Sequence, residues 1–92
     1  MWHVYIIKCA DTTLYTGVTK DVYRRVICHN SKKGGNYTQT RTPVKLLYQE
    51  PQPTHSSALK REAQIKRWTK NKKLALINGN IPELSKLSVS RD

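Results

Sequence analysis

The first strand that the sequence predicts has apolar side chains on both of its faces. Residues 2–9, Trp-His-Val-Tyr-Ile-Ile-Lys-Cys, are rich in β-branched and aromatic side chains and alternate little between polar and apolar. Such a strand is removed from water only if other elements cover it on both sides. We therefore expect residues 2–9 to form the central strand of a small sheet that carries helices.

Turn and cap residues divide the rest of the chain into five further elements. Asp21 and Thr69 have the side chains that favour helix N-caps, and Pro51-Gln52-Pro53 should end a strand. The hairpin turn is expected at residues 11–13. In chain order, the predicted elements are strands at 2–9 and 14–18, a helix at 22–30, a strand at 44–50, and helices at 54–68 and 70–78.

This order, β-β-α-β-α-α, determines a simple topology. A helix after the second strand carries the chain back across the sheet, so the third strand should run antiparallel to the first. The sequence thus predicts an α/β fold of the α+β type, with a three-stranded antiparallel sheet in the order 2-1-3 and about three flanking helices. The first strand then lies in the centre, as its apolar faces require.

The 92 residues are enough for one domain. We expect it to span residues 1–81, and we expect the Ser- and Lys-rich residues 82–92 to form a flexible tail. Residues 2–9 are too short and lack the flanks of a signal peptide, and no segment could span a bilayer. Cys9 and Cys28 are interpreted as reduced core residues, which favours a cytoplasmic location.

The net charge of +11 predicts a partner with many negative charges. Nucleic acid is the usual partner of such a surface, and an anionic membrane is the next candidate. The loop at 31–42 contributes Lys32, Lys33 and Arg41, and residues 60–73 contain seven Lys or Arg but only one acidic residue. Both segments favour binding to a nucleic-acid backbone without a membrane partner.

That acidic residue, Glu62, is placed unusually for a helical carboxylate. On a helical wheel it falls within an apolar face that Ala58, Leu59 and Ile65 define. A carboxylate on a packing face costs free energy unless it is paired or binds a cation. Two explanations remain open: an ion pair with Lys66 one turn later, or ligation of a divalent metal ion.

The hairpin and first helix contain further candidates for a site. Arg25 and His29 lie one turn apart, where an arginine could hold a phosphate and a histidine could transfer a proton. They could equally be an exposed arginine and a histidine that caps the helix. Tyr5 and Tyr15 are each expected on a sheet face, where tyrosines are usually core residues, and Gly17 indicates a close approach to the backbone.

The order and spacing of these residues resemble the GIY-YIG nuclease superfamily. The resemblance rests on His3-Val4-Tyr5, Tyr15-Thr16-Gly17, Arg25, His29 and a helical Glu62, and it covers residues 1 to about 80. It is closest to the small single-domain bacterial members. No single triplet is specific, but five matches in order form a strong pattern.

The resemblance implies a role for each matched residue. Tyr5 would help to activate or position the attacking water, and Tyr15 would lie beside the scissile phosphate with Gly17 giving room. Arg25 would stabilise the pentacovalent phosphate, and His29 would act in proton transfer or support. Glu62 would be the sole protein ligand of one Mg²⁺ or Mn²⁺ ion.

The sequence departs from the family pattern in two ways. His-Val-Tyr replaces Gly-Ile-Tyr, and Thr16 replaces Ile in the second triplet, but both triplets keep the tyrosine. Many members also have an asparagine after the glutamate. Asn71 and Asn78 are both candidates, and neither is assigned. Retention of activity is therefore open.

We interpret the chain as a metal-dependent nuclease that hydrolyses DNA phosphodiester bonds with little sequence specificity. The alternatives are a nucleic-acid-binding module for DNA or RNA that has lost catalysis, and a protein that docks an acidic partner through its basic helices. A monomer is expected, and a protein partner could supply specificity. The predicted substrate-binding residues are Gly17, Lys32, Lys33, Arg41, Arg61 and Lys66.

Overall fold

A computed structural model of the protein describes residues 1–31 and 40–79. The predicted tail at 82–92 and two predicted substrate-binding residues, Lys32 and Lys33, lie outside the described residues. The elements in chain order are β1 (Trp2–Lys8), β2 (Leu14–Thr19), α1 (Val22–Asn30), β3 (Lys45–Gln52), α2 (His55–Lys66) and α3 (Lys70–Ile77).

The three strands form one antiparallel sheet in the order β2-β1-β3, which confirms the predicted α+β topology. Central strand β1 is buried on both faces from Val4 to Ile7. Its odd-numbered and even-numbered residues point to opposite faces, so each face contributes to a separate hydrophobic cluster. The double-sided burial predicted from residues 2–9 is therefore the basis of the fold.

One cluster lies between the sheet and α1, and the other lies beneath α2 and α3. The first cluster contains Tyr5, Ile7, Cys9, Val22 and Val44. The second contains Val4, Ile6, Ala58 and Ile65, with Trp68 among the partly buried residues packed against it. The stability of this small domain depends on both clusters, because each contains only a few buried side chains.

The helices begin at the capping residues that the sequence indicates. Asp21 Oδ1 accepts a hydrogen bond from Arg24 N at 3.1 Å. Thr54 and Ser57 form a reciprocal capping box at the start of α2, and Thr69 accepts from Lys72 N at the start of α3. None of the helices in the described parts of the chain is long and apolar enough to cross a membrane.

Several predicted boundaries and burials were wrong. β3 continues through Pro51 to Gln52, which is possible because β3 is an edge strand and an outward-facing proline there removes no ladder bond. Helix α2 ends at Lys66 rather than Trp68. Leu59 is 42% exposed and lies off the packing face, so Ala58 and Ile65 alone provide the buried contacts of α2. Cys9 is a core residue, but Cys28 is only half-buried.

The close approach of β1 and β2 depends on a glycine. Gly17 pairs with Tyr5 across the two strands, and a Cβ atom at Gly17 would lie 2.6 Å from the Tyr5 hydroxyl oxygen and 2.7 Å from its ring carbon Cζ. Contacts this short are repulsive, and the Tyr5 ring is buried and cannot swing away freely. The ring of Tyr5 thus occupies the space that the missing side chain leaves.

We expect Gly17→Ala to lower the free energy of unfolding by about 1–3 kcal/mol, because the new methyl group overpacks the site. Urea denaturation of the variant and the wild type measures the difference. The matched test is a double-mutant cycle in a Tyr5→Leu background, where most of the penalty should disappear. An equal penalty in both backgrounds would show that the Tyr5 ring is not its cause.

Candidate active site

Three aromatic rings from three different elements meet on the α1 side of the sheet. Tyr5 comes from the middle of β1, Tyr15 from β2, and His29 from the last turn of α1. Their ring centroids lie 6.4 Å apart for the two tyrosines, 6.0 Å for Tyr5 and His29, and 5.4 Å for Tyr15 and His29. Residues from three distant parts of the sequence are thus brought into one cluster.

The hydroxyl of Tyr5 links this cluster to α1 through two hydrogen bonds. It lies 2.9 Å from Nε2 of His29 and also interacts with the side chain of Arg25. A guanidinium can only donate, so the Tyr5 oxygen accepts from Arg25. The Tyr5 hydroxyl donates to Nε2 when His29 carries its proton on Nδ1, and it accepts from Nε2 in the other tautomer.

The surroundings fix the charge of each member of this network near neutral pH. Burial raises the pKa of Tyr5 above its ordinary value of 10.0, although the hydrogen bond with Arg25 acts in the opposite direction. Burial also lowers the pKa of His29 below its ordinary value of 6.5, and the charge of Arg25 lowers it further. Tyr5 is therefore a neutral phenol, His29 a neutral imidazole and Arg25 a cation.

His29 is held deep in the molecule by its helix and by the residue that follows it. Its exposure is 0%, so the imidazole has no direct route to solvent. Asn30 ties the end of α1 to the start of β3: its Oδ1 accepts from Val44 N at 2.6 Å and its Nδ2 donates to Val44 O at 3.2 Å. Sequence reasoning missed this positioning role, for which the His-Asn pair at the end of the helix was the available signal.

Glu62 reaches the same region from α2. Its side chain is 18% exposed, and its Oε2 lies 3.3 Å from Nζ of Lys66. The same Nζ lies 5.9 Å from the centroid of the Tyr15 ring, and the negative charge of Glu62 contributes to the raised pKa of Tyr5. The predicted ion pair is thus formed, and it lies beside the tyrosines rather than in open solvent.

The neighbouring arginine on α2 is directed elsewhere. Arg61 Nε donates to Glu50 Oε2 at 3.0 Å, and its guanidinium lies 5.2 Å from the Trp68 ring centroid. Glu50 also accepts from Tyr48 at 2.6 Å on β3, the opposite edge strand. Arg61, predicted to bind substrate, therefore joins α2 to β3 and lies apart from the tyrosine cluster.

Three other residues considered for the site, Arg41, Asn71 and Asn78, also lie outside this cluster. Arg41 Nε pairs with Asp11 Oδ2 at 3.0 Å, at the end of the β1–β2 hairpin. Asn78 is the C-cap residue of α3, and Asn71 is exposed on that helix. Packing inside the protein explains why position 17 is a glycine, because the Tyr5 ring occupies the space that a side chain would need.

The basic run at residues 60–73 does not form one solvated surface. Lys72 is buried, with its Nζ 4.3 Å from the Trp68 ring centroid. Burial lowers the pKa of Lys73, and the positive charge of Lys66 lowers it further. Lys66 thus adds positive charge beside Glu62, Lys73 lies close enough to Lys66 for the two charges to interact, and Arg61 and Lys72 pack against Trp68.

Glu62 is the only carboxylate identified beside the tyrosine cluster in the described parts of the chain. Within residues 1–31 and 40–79, no group of three or more His, Cys, Asp or Glu side chains could hold a metal ion. A divalent ion at Glu62 would take its other ligands from water and substrate phosphate, which is a coordination that Mg²⁺ accepts. In the structure, the ammonium group of Lys66 occupies the position beside Glu62 that a metal ion would take.

Comparisons with known proteins show which family the chain belongs to. A sequence model described as the GIY-YIG catalytic domain matches residues 1–75. A UPF0213 protein of Staphylococcus epidermidis is 57% identical over 74 residues, which cover 80% of this chain and 90% of the relative. A UPF0213 protein of Staphylococcus saprophyticus is 51% identical over 76 residues, covering 83% and 93%.

A solved structure extends the agreement to the fold. The solution NMR structure of a UPF0213 protein from Bacillus halodurans superposes with a TM-score of 0.55 at 36% sequence identity, covering 92% of this chain and 94% of that one. The matching domain model, the similar relatives and the shared fold point to the same family. The chain belongs to the GIY-YIG family.

Proposed function

We propose that the protein is a nuclease that uses one divalent metal ion to hydrolyse phosphodiester bonds of DNA with little sequence specificity. The observation that carries this proposal is the hydrogen bond of 2.9 Å between Tyr5 and His29, with Arg25 on the same hydroxyl and Glu62 nearby. A general base, a fixed cation and a carboxylate are the groups that phosphodiester hydrolysis needs.

The proposed proton transfer uses the His29 tautomer in which Nε2 accepts a hydrogen bond from the Tyr5 hydroxyl. An attacking water gives its proton to the Tyr5 oxygen while Tyr5 passes its own proton to Nε2 of His29. Both residues start neutral, so the transfer leaves the charge on His29. Arg25 holds the Tyr5 oxygen in place during this step and neutralises negative charge that develops on the phosphate.

Tyr15 and Glu62 complete the proposed site. Tyr15 lies against His29 and beside Lys66, where its hydroxyl would face the phosphate. Mg²⁺ or Mn²⁺ bound there would neutralise charge on the phosphate and on the leaving oxygen. A single carboxylate ligand makes the affinity for the ion depend on the substrate phosphate, and Lys66 has to move aside from Glu62.

The charge of the protein supports nucleic acid as the substrate. A net charge of +11 favours a polyanion. Contacts between basic side chains and the phosphate backbone carry no sequence information. Selectivity would then come from DNA structure or from a protein partner. We further propose a cytoplasmic monomer as the acting form and RNA as an alternative substrate.

One observation favours a second candidate, a nucleic-acid-binding module without catalysis. The Glu62–Lys66 ion pair satisfies the carboxylate without a metal ion, at 3.3 Å. If this pair persists when substrate binds, the protein binds DNA or RNA with steep salt dependence and releases no metal-dependent product.

Glu62→Gln separates these two functions. The variant keeps the size of the side chain and removes its charge, so the cleavage rate should fall by about 10²-fold or more, because charge stabilisation at the phosphate is lost. Binding should stay equal or become slightly tighter. Cleavage of a labelled oligonucleotide with and without Mn²⁺, and fluorescence anisotropy, measure the two effects.

Asp11→Asn is the matched control, because it makes the same change in charge at the hairpin end, outside the tyrosine cluster. It should cut at the wild-type rate. Cleavage by Glu62→Gln at the same rate as Asp11→Asn would overturn the assignment of Glu62 as the metal ligand. Absence of any metal-dependent product from the wild type would favour the binding module.

The pH dependence of cleavage follows from Tyr5 and His29. The relay needs a neutral His29, whose pKa is lowered from 6.5, and a protonated Tyr5, whose pKa is raised from 10.0. We expect kcat/KM to fall in acid as His29 gains a proton, with the midpoint of the fall below pH 6.5, and deprotonation of Tyr5 to lower it only with a midpoint above pH 10.0.

His55→Gln provides the control for this profile, because His55 stacks on Trp2 outside the site at a centroid distance of 4.1 Å. It should keep the profile of the wild type, whereas His29→Gln should lose both the acidic limb and most of the rate. A fall in kcat/KM that is centred above pH 6.5, the ordinary pKa of His29, would contradict the relay.

A further inference from the structure

A groove lies between the end of β2 and the first turns of α1, next to the proposed active site. Its volume is about 220 Å³, and its walls are formed by Thr19, Lys20, Asp21, Arg24, Arg25 and Cys28. Arg25 belongs to both places: it lines the groove and it contacts the Tyr5 hydroxyl. A ligand in the groove would therefore lie beside the reacting phosphate.

The groove carries an excess of positive charge. Lys20, Arg24 and Arg25 contribute three cations, and Asp21 contributes one carboxylate. The Asp21 carboxylate is already engaged, because it accepts the N-cap hydrogen bond from Arg24 N at 3.1 Å. In the described parts of the chain neither Lys20 nor Arg24 forms an ion pair, and both residues are exposed. The positive charge is thus available to an anion.

The position of Lys20 is set by an aromatic side chain. Its Nζ lies 5.3 Å from the centroid of the Trp2 ring, a distance at which a cation is attracted to the ring face. Arg24 lies in the first turn of α1, and both it and the next residue, Arg25, line the groove although adjacent helical positions point about 100° apart. Two cations of the groove are therefore placed by packing and by helix geometry.

We propose that this groove is a backbone subsite that binds a phosphate group of the nucleic-acid strand next to the scissile phosphate, through Lys20 and Arg24. The proposal rests on the proposed nuclease function and deepens it. A strand with one phosphate at Arg25 continues into the groove, because Arg25 lines both. Contacts of this kind fix the register of a strand without reading its bases.

Cys28 supplies a reporter for occupation of the groove. Its thiol is half-buried in the groove wall, one helical turn after Arg24, whereas Cys9 is buried in the core. A thiol reagent should therefore modify Cys28 faster than Cys9 in the folded protein. A strand that lies in the groove covers the Cys28 thiol and slows this modification.

The binding test uses Glu62→Gln protein, so that the probe stays intact. Affinity for a labelled single-stranded oligonucleotide is measured over a series of salt concentrations with Lys20→Ala or Arg24→Ala added. Each variant should reduce the steepness of log K against log salt by about 0.7, the value expected when the protein neutralises one phosphate fewer on a single strand. Lys45→Ala, an exposed lysine on edge strand β3, is the matched control and should leave the slope unchanged.

The thiol test uses Ellman's reagent on the same Glu62→Gln protein. The fast phase, assigned to Cys28 by its disappearance in Cys28→Ser, should slow when the oligonucleotide is added. Unchanged slopes in Lys20→Ala and Arg24→Ala, an equal reduction in Lys45→Ala, or an unprotected Cys28 would each overturn the proposal, as would absence of binding.

These outcomes are distinguishable from failure of the proposed function. If the wild type cleaves and the groove variants bind normally, the nuclease proposal stands and the subsite proposal fails. If the wild type does not cleave but the slopes fall and Cys28 is protected, the groove is a phosphate site of a binding module.

Discussion

The contact between the Tyr5 ring and the bare backbone of Gly17 is the constraint on which both core and candidate site depend. Tyr5 is 1% exposed and belongs to the hydrophobic cluster beneath α1, yet its hydroxyl also carries the hydrogen bonds to His29 and Arg25. The packing that stabilises the sheet therefore also orients the candidate proton relay. A site built in this way is preorganised, because its central group has no other position to take.

Much of the fold was predictable because it follows from local patterns. The doubly apolar segment at 2–9 determines the central strand, and Asp21, Thr54 and Thr69 start the helices where their side chains can cap them. The errors arose where tertiary position overrides local preference. Pro51 is tolerated inside β3 because the strand is at an edge, and Leu59 is exposed because α2 presents a narrower face to the sheet than a wheel suggests.

The candidate site was only partly predictable. Motif order indicated the tyrosines, Arg25, His29 and Glu62, and the structure brings these side chains into one region. The sequence alone did not show that the neighbouring residues Arg61 and Glu62 have different surroundings. Adjacent positions on a helix point about 100° apart, so two neighbours can face different parts of the molecule. One reaches Glu50 on β3, and the other lies beside Tyr15 and Lys66.

The surface charges were the least predictable part. A run of seven Lys and Arg suggests a continuous basic surface, yet Lys72 is buried against Trp68 and Arg61 is paired. The groove at Lys20 and Arg24 is formed only when β2 and α1 come together, so no local pattern reveals it. A count of charges in the sequence therefore does not predict where on the folded surface the positive charge lies.

The complete burial of His29 limits the routes by which a proton can reach and leave its imidazole. An imidazole with no exposed surface cannot exchange protons with bulk water directly, and the Tyr5 hydroxyl, 2.9 Å from Nε2, is one group through which such an exchange can pass. In the proposed mechanism, a proton taken up by Nε2 can be returned through the same Tyr5 oxygen through which it arrived. The donor that protonates the departing oxygen and the base that deprotonates water would then be one unit used in alternate directions, so the second turnover cannot begin until the first proton has been returned.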